Sequence, residues 1–187
     1  MIFLSASIPD SKLNSEYFST AKISAIRDAV IALVSVVISR SSLTWGGHPS
    51  ITSLVVNSAR QSDILSRARV YQSEFFADRF PAENQSVDNV IITSKEEDEK
   101  SSLEKMRARM FHDRQFTAGI FIGGMKGVVN EYNLFRTSQP RALALCVART
   151  GGAAKFIQGS SNPAPGEELL NDYGYIAYFE DMLRNRI

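Results

Sequence analysis

Arg107, Arg109 and Glu131 are the residues of this chain best suited to chemistry on a charged ligand. A guanidinium fork matches a phosphate or carboxylate as a lysine does not. Glu131 follows Gly127 by four residues, one helical turn, so its carboxylate can point back over the turn before it. That turn belongs to the second of two similar units, Leu43-Thr44-Trp45-Gly46-Gly47 and Gly119-Ile120-Phe121-Ile122-Gly123-Gly124. Each diglycine closes a short apolar run and precedes helical spacing, which predicts a strand, a glycine turn and a helix. Backbone N–H groups and a helix N-terminus would then face whatever lies above the strand, an arrangement suited to phosphate. Gly46, Gly47, Gly123, Gly124 and Gly127 are therefore candidate ligand-loop residues. A further diglycine, Thr150-Gly151-Gly152, again ends an apolar run. His48 directly follows the first turn and can donate to a phosphate. Ser5 and Ser7 end the first apolar run and can bond either a ligand or their own backbone. The plain alternatives are glycines that only let helices pack, a surface basic stripe with Lys105 and Arg114, and a solvent-facing Glu131.

The elements that must position these groups read as follows. Ile2 to Ser7 is a buried strand, and Ile23, Ile26, Val30, Leu33, Val34 and Val37 form one face of a helix. Pro49 suits the first turn of a helix carrying Ile51, Leu54, Val55 and Ala59. Arg69–Gln72 and Asn89–Thr93 are short strands, and Phe75, Phe76 and Phe80 between them predict an ordered loop or short helix. The run Lys95-Glu96-Glu97-Asp98-Glu99-Lys100 opens a helix through Leu103, Met106 and Met110, its acids placed well for the helix dipole. Gly119–Ile122 and Arg141–Ala148 are buried strands, Val128–Phe135 a helix, and Tyr175–Arg186 a closing amphipathic helix packed on the domain or on a partner, with Tyr173 and Tyr178 nearby. Strands alternating with helices predict an α/β fold, a doubly wound, mostly parallel sheet covered on both faces.

Composition narrows the function. A chain of 187 residues with 44% hydrophobic content can bury one sizeable core, so a single domain over residues 1–187 is expected. With 21 Lys+Arg against 20 Asp+Glu and no basic block, nucleic acid is a poor partner. Cys146 lies in an apolar run and reads as a buried, inert thiol. The longest apolar stretch, Ala29 to Ile38, is far too short for a bilayer core of about 30 Å, and Met1-Ile2-Phe3-Leu4 lacks the basic start of a signal peptide. A cytoplasmic protein without membrane association is expected. His48 and His112 are too few and too separated for a metal cluster, so no metal and no cofactor are expected; His112 reads as a helix-end residue.

Met106-Arg107-Ala108-Arg109 and then Gly119 through Glu131 resemble the LOG-like and DprA-like Rossmannoid superfamily known as SLOG. In its enzymes a Met-x-x-Arg segment precedes an apolar strand ending in Pro-Gly-Gly-x-Gly-Thr-x-x-Glu. The resemblance implies that the Arg and Glu act at a nucleotide's glycosidic bond while the glycine loop holds the phosphate. Arg109 fits the Met-x-x-Arg pattern, and Arg107 better fits the longer spacing to the diglycine. Thr44-Trp45-Gly46-Gly47 is similar to the family's earlier glycine turn. Here Ile122 replaces the Pro, Val128 replaces the Thr, and two residues instead of one separate Gly124 from Gly127. Those departures imply a likeness to the non-enzymatic members, which sense nucleotide-derived signals in bacterial conflict and antiviral systems beside a TIR, Sir2 or membrane-spanning effector. The implied function is binding of a small nucleotide-derived ligand by a homo-oligomer; the alternative is a LOG-like hydrolase of nucleoside 5′-monophosphates. A DprA-like grip on single-stranded DNA is disfavoured by the neutral charge balance.

Overall fold

The computed structural model describes residues 1–12, 15–60, 65–159 and 174–187. Six strands, β1 (Ile2–Ser7), β2 (Leu43–Trp45), β3 (Ala68–Ser73), β4 (Asn89–Thr93), β5 (Ala118–Gly123) and β6 (Leu143–Val147), form one all-parallel sheet in the order β4-β3-β2-β1-β5-β6. Around it lie α1 (Ser15–Thr20), α2 (Ile23–Val37), α3 (Pro49–Arg60), α4 (Glu99–His112), α5 (Lys126–Ser138), α6 (Gly152–Gly159) and α7 (Tyr175–Leu183). The chain winds from β1 outward to β4, crosses back to β5 and winds the other way. The order thus reverses at β1, and a crevice opens beyond its carboxyl end.

Side chains of each strand alternate between two cores. Ile2 and Leu4 of β1 join Leu43, Trp45, Val70 and Ile120 under α2, α3 and α7. Phe3 points the other way, into an aromatic cluster with Phe111, Phe116, Phe121 and Phe135, the nearest centroid 4.9 Å away. Gly119 makes room for it, since a Cβ there would lie 2.7 Å from the Phe135 ring. On α2, Ile26, Val30, Leu33, Val34 and Val37 are all fully buried, each worth about 1.5–3 kcal/mol when removed from water. The sheet, α3 and α7 occupy that face within the chain, so the stripe is core and not a free apolar surface. Ile23 and Ile31 remain exposed on α2, and Ile176 on α7.

Element boundaries differ from the periodicity in instructive places. α4 begins at Glu99, because the Asp98 carboxylate caps it by accepting from the Ser101 N–H at 2.7 Å, which also holds that carboxyl below its usual range. The closing helix ends at Leu183, short of Arg186, and β6 is trimmed to Leu143–Val147. The Phe75–Phe80 segment is ordered as three-ten turns over Glu74–Arg79 and Ala82–Ser86, the first capped by Ser73. The two short helices α1 and α6 lie outside the periodicity read from the sequence, although α6 buries Ala153, Ala154, Ile157 and Gln158 at helical spacing. Tyr173 lies outside the described residues. No helix among the described residues is long and apolar enough to cross a membrane.

Candidate functional site

A cleft of about 560 Å³ opens where the strand order reverses, within the size range of small-molecule sites. Its floor is set by three elements. Ser5 of β1 donates its hydroxyl to Glu131 Oε2 at 2.6 Å, and Arg107 of α4 donates Nε–H to Glu131 Oε1 at 3.0 Å. The Arg107 and Glu131 side chains are only 11% and 12% exposed. A pair so far out of water is costly to leave half-made. Ser5 is buried beneath the cleft lining, and its hydroxyl donates to Glu131 instead of to its own backbone, orienting that carboxylate. Helix spacing puts Glu131 one turn beyond the α5 N-terminus, and Arg107 lies over that terminus: a Cβ on Gly127 would meet its Nη2 at 3.4 Å. The first amides of α5, Lys126 and Gly127, precede its first backbone donors, Val128 and Val129. The positive end of the helix and a guanidinium therefore face the same space.

The two arginines separate cleanly. Arg107 lines the cleft. Arg109 does not: it lies two residues on, roughly 200° round the helix, half-exposed and paired with Asp113 at 3.2 Å. His112, at the end of α4, is exposed beside the same Asp113. Neither is brought to Glu131.

The glycine turns separate as well. Gly46 and Gly47 line the cleft, and a Cβ on Gly46 would sit 3.7 Å from Glu131 Oε1 and 3.6 Å from Met106 Cε. Gly123 and Gly124 do not line it. Their amides are already committed, Gly123 N–H to Thr150 Oγ1 and Gly124 N–H to the Ser7 carbonyl, both at 2.8 Å. Gly124 has φ of 85°, and a Cβ there would strike Val128 at 2.2 Å. The valine that replaces the family's threonine thus packs down onto the turn. The third diglycine docks on Thr20 and on the Gly124 carbonyl, away from the cleft. The two turns also do not sit on neighbouring strands. β2 and β5 flank β1, and because β1 ends between them the cleft is reached by Gly46 and Gly47 after β2 and by Met125, Gly127 and Val128 beyond the diglycine of β5.

His48 caps α3 and lines the cleft. The Ser50 N–H donates to His48 Nδ1 at 3.3 Å, so the Ser50 hydroxyl, which accepts from the Ile8 N–H, also donates to Nδ1 at 2.8 Å. Nδ1 is therefore an acceptor and Nε2 carries the proton. Its ring is open to the cleft yet ringed by its walls, and this loss of bulk water lowers its pKa, with the negative Glu131 opposing. Cys146 is buried, and desolvation pushes its thiol up to about 12. Ser7 lines the cleft beside its carbonyl bond to Gly124. The sequence reading did not find Gln72, Phe76, Arg79, Glu99 and Leu103, which also line the cleft. Gln72 stands one residue from the carboxyl end of a parallel strand, and that position was the available signal.

Fold and cleft define a Rossmann-like α/β protein with its cleft at the switch point of the sheet. The SLOG cluster3 family model matches residues 16–183, and the chain belongs to that family. In fold it is similar to the X-ray structure of TM1055, a Northeast Structural Genomics Consortium target, with a TM-score of 0.61 over 84% of this chain and 79% of that one, at 12% identity. No curated protein matches the chain in sequence.

Proposed function

We propose that this protein binds a small nucleotide-derived ligand in the cleft and senses it without cleaving it. The observation that carries the reading is the convergence of Arg107, Glu131 and the α5 N-terminus in a cleft also lined by Trp45, Phe76, Leu103 and Met106. Phosphate suits the guanidinium and the helix end, ribose hydroxyls can donate to the free lone pairs of Glu131, and a flat base suits Phe76, Leu103 and Met106. Sensing is favoured over hydrolysis because the diglycine amides are committed within the protein and Val128 offers no hydroxyl. On the family resemblance the reading extends to a bacterial conflict or antiviral role, with occupancy passed to a TIR, Sir2 or membrane-spanning effector through a homo-oligomer.

The Arg107–Glu131 pair at the cleft floor also favours a second reading, a LOG-like nucleotide phosphoribohydrolase in which the pair stabilises an oxocarbenium-like transition state. The two are separated by incubating the protein with nucleoside monophosphates, cyclic dinucleotides, ADP-ribose and its cyclised isomers, then measuring binding and products together. A sensor returns its ligand intact over hours, and Glu131→Gln and Arg107→Ala each weaken binding tenfold or more, as expected for charge-assisted bonds of about 1.5–3 kcal/mol. Release of free base and ribose 5-phosphate, abolished in Glu131→Gln with binding retained, assigns the hydrolase instead.

A further inference from the structure

Gln72 lines the cleft beside the first glycine turn, and only 5% of the residue is exposed. Its Nε2 donates to the Gly47 carbonyl at 3.1 Å. A carbonyl oxygen only accepts, so the amide is fixed with its nitrogen toward Gly47 and its oxygen away. The turn is shaped round this contact: a Cβ on Gly47 would lie 2.2 Å from Nε2. The freed oxygen, Oε1, has no donor among the described residues. It is also not one of the sealed, orphaned atoms, which include Thr44 Oγ1 and both amide atoms of Asn84. An acceptor held in one orientation, nearly desolvated and open to a cleft, lacks only a donor from the ligand. Phe76, from the turn after β3, lines the same cleft, where an aromatic ring can pack against a flat base.

We propose that Gln72 is a specificity residue of this cleft, its Oε1 accepting a hydrogen bond from the exocyclic amine of a flat base held against Phe76. The assignment rests on the nucleotide reading above. It makes the cleft prefer a base that donates at that position, such as adenine, over one that presents a carbonyl there, such as hypoxanthine. The mismatched base sets oxygen against oxygen and leaves Oε1 unpaired, which is expected to weaken binding about tenfold or more.

The test uses the full chain and two matched pairs of probes, AMP with IMP, and ADP-ribose with its hypoxanthine analogue. Trp45, the sole tryptophan, lines the cleft and serves as the fluorescent reporter. Wild type is expected to prefer the amine member of whichever pair binds by tenfold or more. Gln72→Met and Gln72→Leu, which both lack the acceptor, are each expected to bring that ratio close to one. Equal binding of both members by wild type, or a preference that survives in Gln72→Met, overturns the role of Gln72 and leaves the nucleotide reading standing. If Gln72→Met does not fold, wild type and Gln72→Leu decide: the assignment holds only if wild type prefers the amine and Gln72→Leu does not. Binding of neither pair, with binding of another nucleotide, overturns the adenine preference alone. No binding of any nucleotide overturns both readings.

Discussion

The two diglycine turns look alike in sequence and do opposite things. Gly46-Gly47 ends a three-residue strand and opens onto the cleft, facing Glu131 and Met106. Gly123-Gly124 ends a six-residue buried strand and faces inward, both amides spent on Thr150 and Ser7 and both Cβ positions already filled by Ile26 and Val128. A glycine after a strand therefore marks close approach without saying of what. At Gly46 the space is open for a ligand, at Gly47 Gln72 fills it, and in the second turn the protein has used it at both residues.

The largest expected effect breaks the second turn. Gly124→Ala forces a side chain into a positive φ and onto Val128, so about 3–5 kcal/mol of stability should be lost, read as a fall in the denaturant midpoint. If Gly124→Ala melts like wild type, the inward packing of that turn is wrong. Next comes Arg107→Ala, which strands Glu131 at low exposure and is expected to cost about 3 kcal/mol. Arg109→Ala removes only an exposed pair and should change stability by less than about 0.5 kcal/mol. A reversal of these two magnitudes would return the ligand role to Arg109.

Gly46→Ala sharpens the comparison from the other side. Its Cβ meets ordinary contacts at 3.6 and 3.7 Å and no positive φ is involved, so the fold should tolerate it. The methyl nonetheless enters the cleft, and ligand affinity should drop severalfold in a titration while the melting curve stays in place. The smallest effect belongs to His48. Its folded pKa is lowered below the unfolded value, so the unfolded chain takes up the proton first as pH falls. Stability should decline as pH drops below about 6.5 and level off below the folded pKa, and His48→Gln should flatten that slope in pH-dependent denaturation.

Much of this fold is legible because its spacing is strong. The α2 stripe, Pro49 at the start of α3 and the buried strands all follow from apolar periodicity, and the Gly127–Glu131 interval places the carboxylate over the α5 turn. The choice between Arg107 and Arg109 was not legible. Both sit on one helix two residues apart, and only the burial of Met106 and Met110 sets which one turns inward. Strand neighbours were not legible either, since nothing local dictates that β5 crosses back to lie on the far side of β1 from β2. Ser5 and Gln72 gain their roles from partners 126 and 25 residues away, beyond the reach of any local pattern.

The central claim, that a ligand reads the first glycine turn and the α5 N-terminus and not the second diglycine, is tested most directly by following backbone amides in nitrogen-15 correlated spectra during titration with AMP and with ADP-ribose. The account predicts shifts at Gly46, Gly47, Lys126 and Gly127, with Gly123 and Gly124 nearly unmoved and slow to exchange with solvent. Dominant shifts at Gly123 and Gly124, with the first turn silent, would contradict it.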